Sequence, residues 1–572
     1  MQDDKQKDIE EAAIVSGLQL DSMVPEIGTS TSEPTSEDEN VLIDRGLAAL
    51  QNGDLLDAES LLVRAININS RQPAALNGLG TIYARQDRVE EAVEAFSSAA
   101  TELSHIAAPR FNIGHLMRKK GRLADALEAY NAGLLIEPTR ADILLRKARI
   151  LDELGQIGEA LTIYSKVVSL DGSLVDAHIG IARISEETYD LERAQMHIDI
   201  ALGIEGDNFE ARSIGSLIAR QEGRIQDALD LLSGLELTLA SEEMEAIIRY
   251  QLGQLYDLSG RTEEALVEIN RANETQRSIS LDVDGRKFLE KVKHERAALG
   301  SVPPFFDSKP GATFTRRSPV FLVGFPRSGT SLLDVVLDSH PSVVVLEETS
   351  AMLETYQEFR KLEEKRGDLM LTLDEKTTSS LRNLYYERVN TLLASPLEDK
   401  ILIDKFPLNM VWIRIIHQLF PDAALIFAIR HPCDVCFSCY MQRFKLNDAM
   451  ANFLSLDDTV RLYDEVIGLW QEAERVLPLR IHPVRYEDLV ADFRKSIGAV
   501  IDFIGLPWND AVLTYKEHAR AGGRVSTPSY HQVIEPIYDR AKGRWLKYKG
   551  ALEPYFATLD GHAQYLGYTS LQ

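Results

Sequence analysis

Residues 319–334, PVFLVGFPRSGTSLLD, set Gly324 and Gly329 between an apolar run and the start of a helical pattern. Successive backbone N–H groups in such a turn, at a helix N-terminus, face an anion. A nucleoside-triphosphate loop would continue with Lys-Ser/Thr, the lysine on the β/γ-phosphates and the hydroxyl on Mg²⁺. Here Thr330 and Ser331 follow Gly329, and the nearby cation, Arg327, lies inside the loop. Its planar fork suits phosphate or sulfate oxygens. A second cradle is readable in residues 424–444, ALIFAIRHPCDVCFSCYMQRF. An apolar strand ends at Arg430, Pro432 suits the first turn of a helix, and that helix carries Ser438. Such a pair can clamp a second phosphate. A nucleotide phosphorylated at both its 5′ and 3′ positions requires two cradles, and ATP does not.

The segments around these groups predict an α/β domain. VFLVGF, SVVVLEE, ILIDKF, ALIFAI and IHPVRY are short apolar strands alternating with helical stretches, the pattern of a mainly parallel sheet. Ligands of such sheets sit at the strands' carboxyl ends, where the Gly324–Thr330 loop falls. Upstream the period changes. Ala58, Ala92, Ala126, Ala160, Ala194 and Ala228 recur every 34 residues, and Ala265 follows a three-residue insertion. Leu62, Phe96, Tyr130, Tyr164, Ile198, Leu232 and Ile269 stand four positions later, and Gly46, Gly80, Gly114, Ala148, Ala182, Ser216 and Gly253 twelve positions earlier. This is the tetratricopeptide period, two helices per repeat with small residues at their closest approach. Seven units are expected over about residues 39–274 as a helical solenoid, closed by a polar-faced helix at 284–298. The expected organisation is a disordered acidic tail at 1–38, repeats with their capping helix at 39–299, a linker at 300–317, and the α/β domain at 318–572.

A chain of 572 residues is too long for one core. A net charge of −26 argues against broad nucleic-acid or anionic-membrane binding. Three cysteines provide no disulfide framework and fit a reducing compartment. No signal-peptide pattern opens the chain and no apolar run approaches a membrane span, so a cytoplasmic protein is expected.

The motifs resemble the sulfotransferases that use 3′-phosphoadenosine 5′-phosphosulfate (PAPS), most closely the tyrosylprotein branch. PRSGTSLLDVVLDSHPSVVVLEET is similar to its 5′-phosphosulfate loop and glutamate segment, and AIRHPCDVCFS to its 3′-phosphate motif. DKFPLN, VRYEDLV, FIGLPWNDAVL, HQVIEPIY and the final LGY are further matching islands across 318–572. Repeats fused to such a domain resemble a bacterial arrangement. The resemblance implies a P-loop-like sulfotransferase fold, PAPS as co-substrate and no metal, because a phosphosulfate does not demand the loop lysine and Mg²⁺. It implies that Arg327, Ser328, Gly329, Thr330 and Ser331 hold the 5′ end, and that Arg430 and Ser438 hold the 3′-phosphate. It places Tyr486 beside the adenine, with Ser529 and Arg544 as further nucleotide contacts, Arg544 standing where the family has lysine. Transfer to a hydroxyl needs a general base. Glu347 and Glu348 end one strand, and alternation should send only one of them into the pocket. The resemblance selects Glu348, with Lys405 as the catalytic cation and Arg327 assisting. Two positions depart from the family: Gln442-Arg443 where its 3′-phosphate helix has another arginine, and Ser350 where the tyrosylprotein enzymes have a substrate-contacting arginine. The acceptor is therefore a hydroxyl on a protein tyrosine, sugar, lipid or small molecule. A protein or peptide partner is expected on the repeat groove, and a homodimer is compatible with the sequence.

Competing readings attach to the same residues. ILID mimics a nucleotide-hydrolase strand with Asp404 as Mg²⁺ ligand, which would make the chain a P-loop NTPase or kinase. A catalytically inactive repeat scaffold is the other alternative, against which Arg327, Glu348, Lys405, Arg430 and Ser438 all stand retained. Cys433, Cys436 and Cys439 lack a fourth ligand and are spread around a helix, so they read as packing thiols. His340 reads as a helix-ending structural residue.

Overall fold

The computed structural model describes residues 38–301, 317–366, 373–393, 397, 399–521 and 542–571. The chain divides into two compact units, one of residues up to 208 and one from 209 onward, with 187–189 counted in the second. The first unit holds five helix pairs, from Glu39–Gln51 with Leu55–Ile68 to Val175–Glu187 with Leu191–Ile204. Their interior is the periodic set. The recurring alanines are fully buried, and so are Leu62, Phe96, Tyr130, Tyr164 and Ile198 four residues on. The large residue of each pair needs a gap in the facing helix. A methyl on Gly114 would overlap the Tyr130 ring, and one on Gly80 the Phe96 ring. In these pairs the 34-residue period records a small-on-large contact.

Two more pairs open the second unit, Phe209–Gln221 with Ile225–Leu232 and Glu242–Leu258 with Thr262–Ser278. The boundary between the units thus falls inside the repeat series, because the last repeat shares a core with the α/β domain. Tyr250, Ala265, Ile269 and Ala272 join the apolar cluster that runs through that domain. The helix Gly285–Gly300 keeps an exposed polar face, with Arg286, Lys287, Glu290 and Lys291 outward, while its other face packs into the α/β domain. Phe288, Leu289, Val292 and Leu299 lie in that cluster too. Glu295, in the middle of the same stripe, is fully buried against Arg414, with Nε to Oε2 2.8 Å. A stripe interrupted by glutamate reads as polar until its cation is known.

The α/β domain comprises β1 Val320–Gly324, α1 Thr330–Asp338, β2 Val343–Glu347, α2 Ala351–Arg366, α3 Glu375–Leu392, β3 Ile401–Lys405, α4 Ile413–Leu419, β4 Ala424–Ile429, α5 Pro432–Tyr440, α6 Leu456–Val476 and β5 Arg480–Arg485. The sheet order is β2-β3-β1-β4-β5, and every neighbouring pair is parallel. Continuous apolar strands are what a sheet covered on both faces needs. Phe321, Val323, Leu402, Leu425 and Phe427 point into one cluster. Val320, Leu322, Ile401, Ile403, Ala424 and Ile426 point into the other, with α1.

Candidate active site

Strand order lines up the polar residues along the carboxyl edge of the sheet. β1 is central, paired with β3 on one side and β4 on the other. Glu347 of β2 stands in register with Lys405 of β3, and Ile429 of β4 with Arg485 of β5. The edge therefore reads Glu347-Glu348, Lys405, the glycine loop, Arg430, Tyr486. The chain's connections diverge on either side of β1, and crevices outside such switch points are where α/β sheets bind ligands.

The loop is built for close approach. Gly329 caps α1 with φ 101°, and a methyl there would sit 3.0 Å from the Tyr486 ring. Arg327 also takes a left-handed backbone, φ 70°. That conformation costs a non-glycine residue about 1–3 kcal/mol and concentrates at ligand sites. The turn is braced from β4 and α5. Arg327 Nε donates to Ser438 Oγ at 3.1 Å, and Arg430 donates to the Arg327 carbonyl at 3.2 Å. The Cys439 thiol donates to the Pro326 carbonyl at 3.3 Å. The Arg430 guanidinium lies 5.1 Å from the centre of the Tyr486 ring. Arg327, Gly329, Arg430, Ser438 and Tyr486 thus form one contiguous patch. Ser328 Oγ is buried there with no hydrogen-bond partner among the described residues. An unsatisfied buried hydroxyl is costly, and beside the N–H groups opening α1 it fits an anionic oxygen. Thr330 is buried at the same helix start and Ser331 is half-buried.

The second cluster surrounds Lys405, whose side chain is fully buried. Its ammonium meets Glu348 Oε1 at 3.0 Å, Glu347 Oε1 at 3.2 Å and Asp334 Oδ2 at 3.0 Å. Alternation along β2 predicts that only one of the two glutamates reaches the site, and the structure corrects this. The strand ends at Glu347, and Glu348 turns left-handed, φ 44°, with its N–H on the Lys405 carbonyl at 2.7 Å. That turn swings both carboxylates to one side. Burial alone would push the lysine down, but the three carboxylates outweigh it and hold it above the usual lysine value. Burial raises Asp334 to about 7, with the Glu347 charge acting in the same direction against the pull of Lys405. Motif reading passes over Asp334 and sets Glu347 aside in favour of Glu348. The available signal was an acid at the fifth position of TSLLDVVLD, one turn beyond Thr330 on the same face.

Asp404 points the other way. It is buried on the opposite face of β3, taking hydrogen bonds from Tyr385 at 2.8 Å and Asn409 at 3.0 Å, and burial raises it to about 7. Strand alternation alone separates it from Lys405 and the loop. Arg544 turns its guanidinium to Asp257 of the last repeat, at 3.0 Å, while Asp434 of α5 holds the flanking N–H groups of Gly543 and Trp545. Arg443 pairs with Glu243 of the same repeat, at 3.1 Å. Ser529 and the HQVIEPIY stretch lie outside the described residues. Cys433, Cys436 and Cys439 are all buried, and burial pushes their thiols up. His340 accepts from the Ser342 N–H and donates to the Pro507 carbonyl, a closed structural role. The terminal LGY is explained by packing. Tyr568 donates to Glu487, whose other oxygen takes the His431 N–H at the start of α5.

Comparison with known proteins agrees with this architecture. Residues 319–510 match the sulfotransferase family, and residues 43–105 and 111–174 match the tetratricopeptide repeat. The C-terminal region carries a sulfotransferase-family domain and the N-terminal region tetratricopeptide repeats. The chain is also weakly homologous to protein-tyrosine sulfotransferases. It is 27% identical to protein-tyrosine sulfotransferase 2 of Gallus gallus over 242 residues, 40% of this chain and 62% of that protein. It is 27% identical to an uncharacterized protein of Aquifex aeolicus (strain VF5) over 266 residues, 45% of this chain and 34% of that one. The match thus spans less than two thirds of the length of either relative. A tetratricopeptide repeat protein from Parabacteroides merdae ATCC 43184 is similar at 20% identity, covering 41% of this chain and 93% of that one, with a TM-score of 0.34.

Proposed function

We propose that the chain is a PAPS-dependent sulfotransferase acting on an acceptor hydroxyl, with the repeat array as a protein-binding arm. The observation that carries the reading is the row along the sheet edge. A carboxylate and a buried ammonium stand on one side of the glycine loop, and Arg430 with Ser438 on the other. A triphosphate site has no use for the second cradle. Asp404, which would have to hold its Mg²⁺, is turned into the core.

Glu348 takes the acceptor O–H proton as the acceptor oxygen forms its bond to sulfur. The bond from sulfur to the 5′-phosphate oxygen breaks, and its electron pair stays on that oxygen, leaving 3′,5′-ADP. Lys405 and Arg327 stabilise the developing charge. Donors so placed contribute about 2.7–4 kcal/mol each. Sulfuryl transfer is otherwise mostly alignment, which the loop and Ser328, Thr330, Ser331, Arg430, Ser438 and Tyr486 provide. Ser350, which hydrogen-bonds Glu354 at 2.6 Å, supplies no cation for acidic peptide flanks, so the acceptor class is left at a hydroxyl, protein tyrosine included. No helix among the described residues is long and apolar enough to cross a membrane.

Titration calorimetry tests the reading. 3′,5′-ADP should bind without added metal and ATP–Mg²⁺ should not. Arg430→Ala should weaken 3′,5′-ADP by roughly 10- to 100-fold, the worth of a charged hydrogen bond, and 5′-AMP by much less. A uniform loss on both nucleotides would remove the 3′-phosphate role, and a preference for ATP–Mg²⁺ would remove PAPS.

A further inference from the structure

We infer that Asp334 is a positioning residue for transfer, anchoring the Lys405 ammonium beside the donor loop while Glu348 is engaged with the acceptor. This rests on the proposed sulfotransferase activity. Lys405 reaches the site on a long flexible stem, and its three partners differ in what they do during the reaction. Glu348 is 38% exposed and on the proposed reading receives a proton, so its hold on the lysine falls as the bond to sulfur forms. Glu347 is 28% exposed and sits at the mouth of the cluster. Asp334 is only 7% exposed, 3.0 Å from the ammonium, and belongs to α1, the helix whose first turn is the anion loop.

A four-residue step places Asp334 one turn behind Thr330 on the same face. The loop and the lysine are thereby fixed to one rigid element. An ammonium released by Glu348 stays within reach of the breaking bond instead of following the acceptor side. The charged groups facing this cluster are Asp334 from α1, Glu347 and Glu348 from the end of β2, and Asp338 one turn further along α1, itself paired with His518 at 2.9 Å. Burial favours a neutral Asp334 and the lysine a charged one. In either state the carboxyl keeps an oxygen that accepts from Nζ.

The test compares Asp334→Ala and Asp334→Asn in the full chain, using ³⁵S-labelled PAPS for turnover and 3′,5′-ADP for affinity. Asp334→Ala should lower kcat at least tenfold with the 3′,5′-ADP Kd changed less than twofold. Asp334→Asn, which retains an acceptor for the ammonium and the shape of the side chain, should recover part of that loss. An unchanged kcat in Asp334→Ala, or a fall in affinity as large as the fall in kcat, would overturn the inference. If the unmodified protein neither binds 3′,5′-ADP nor transfers sulfate, the sulfotransferase reading fails instead. The anchor is then judged by a double-mutant cycle of Asp334→Ala with Lys405→Met in denaturant unfolding. Non-additive effects support it, and additive ones remove it.

Discussion

Glu348 and Arg327 are two of four non-glycine residues with positive φ among the described residues, and both lie in the candidate site. At Glu348 the unusual backbone redirects a charged side chain that regular alternation would have sent elsewhere. Substituting the carboxylate separates binding from chemistry. Glu348→Ala should leave 3′,5′-ADP affinity within a few-fold and lower transfer by about 10²–10⁴, the usual contribution of a general base. Calorimetry and ³⁵S transfer on the same folded variant check this, and parallel loss of both would move the base elsewhere. His431, stacked on Trp545 and capping α5, carries a different signature. Burial lowers its imidazole from 6.5 to about 4. The unfolded chain then binds the extra proton first, so its contribution is complete above pH 6.5 and is lost as pH falls toward 4. At most this is about 3 kcal/mol. His431→Asn, which can still cap the helix and does not titrate, should therefore gain stability relative to the unmodified protein as pH falls from 6.5 toward 4. Denaturant midpoints across that range are the measurement, and a pH-independent gap would mean the imidazole does not titrate on unfolding.

The helix pairs and strands obey simpler rules, and most were legible. Leu62, Phe96, Tyr130 and Ile269, four positions after buried alanines, each meet a glycine on the facing helix, so spacing and size alone locate the contact. Gly114→Ala tests it with two opposing effects. Alanine should favour a helix by about 0.5–1 kcal/mol, whereas overpacking Tyr130 costs about 1–3 kcal/mol. The second term is larger, so the variant should be destabilised, as thermal unfolding would show; a stabilised variant would mean the pair can separate. The five strands fall within a residue or two of their apolar runs. Glu295 gave no sign of its buried partner, and Asp334 was passed over because it sits among leucines and valines. Both are acids whose partners, Arg414 and Lys405, lie far away in sequence.

The last repeat, the helix after it and the α/β domain form one packed body. Asn273 reaches the Tyr440 carbonyl at 3.3 Å, Tyr548 reaches Asp257 at 2.7 Å, and Arg414 is buried between Glu295 and Glu363. Removing one partner of a buried ion pair strands the other and costs about 3–5 kcal/mol. An exposed pair such as Arg261–Glu264 is screened by solvent and contributes little. Glu295→Gln should accordingly shift the unfolding of the whole 209–572 unit, while Glu264→Gln should barely register. A small effect of Glu295→Gln in denaturant unfolding would mean that the repeat end is only laid against the domain. The repeat period, the strands and the glycine turn were readable along the chain, because each depends on residues a few positions apart. Which groups stand beside the loop followed from the family resemblance and not from local spacing. Lys405 and Arg430 flank it because β3 and β4 pair with β1, three strands separated by long connections. The second carboxylate joins the first because of one left-handed residue. Local spacing sets periodicity and turn chemistry, whereas the neighbours of a charge are chosen by strand order and burial, which involve the whole fold.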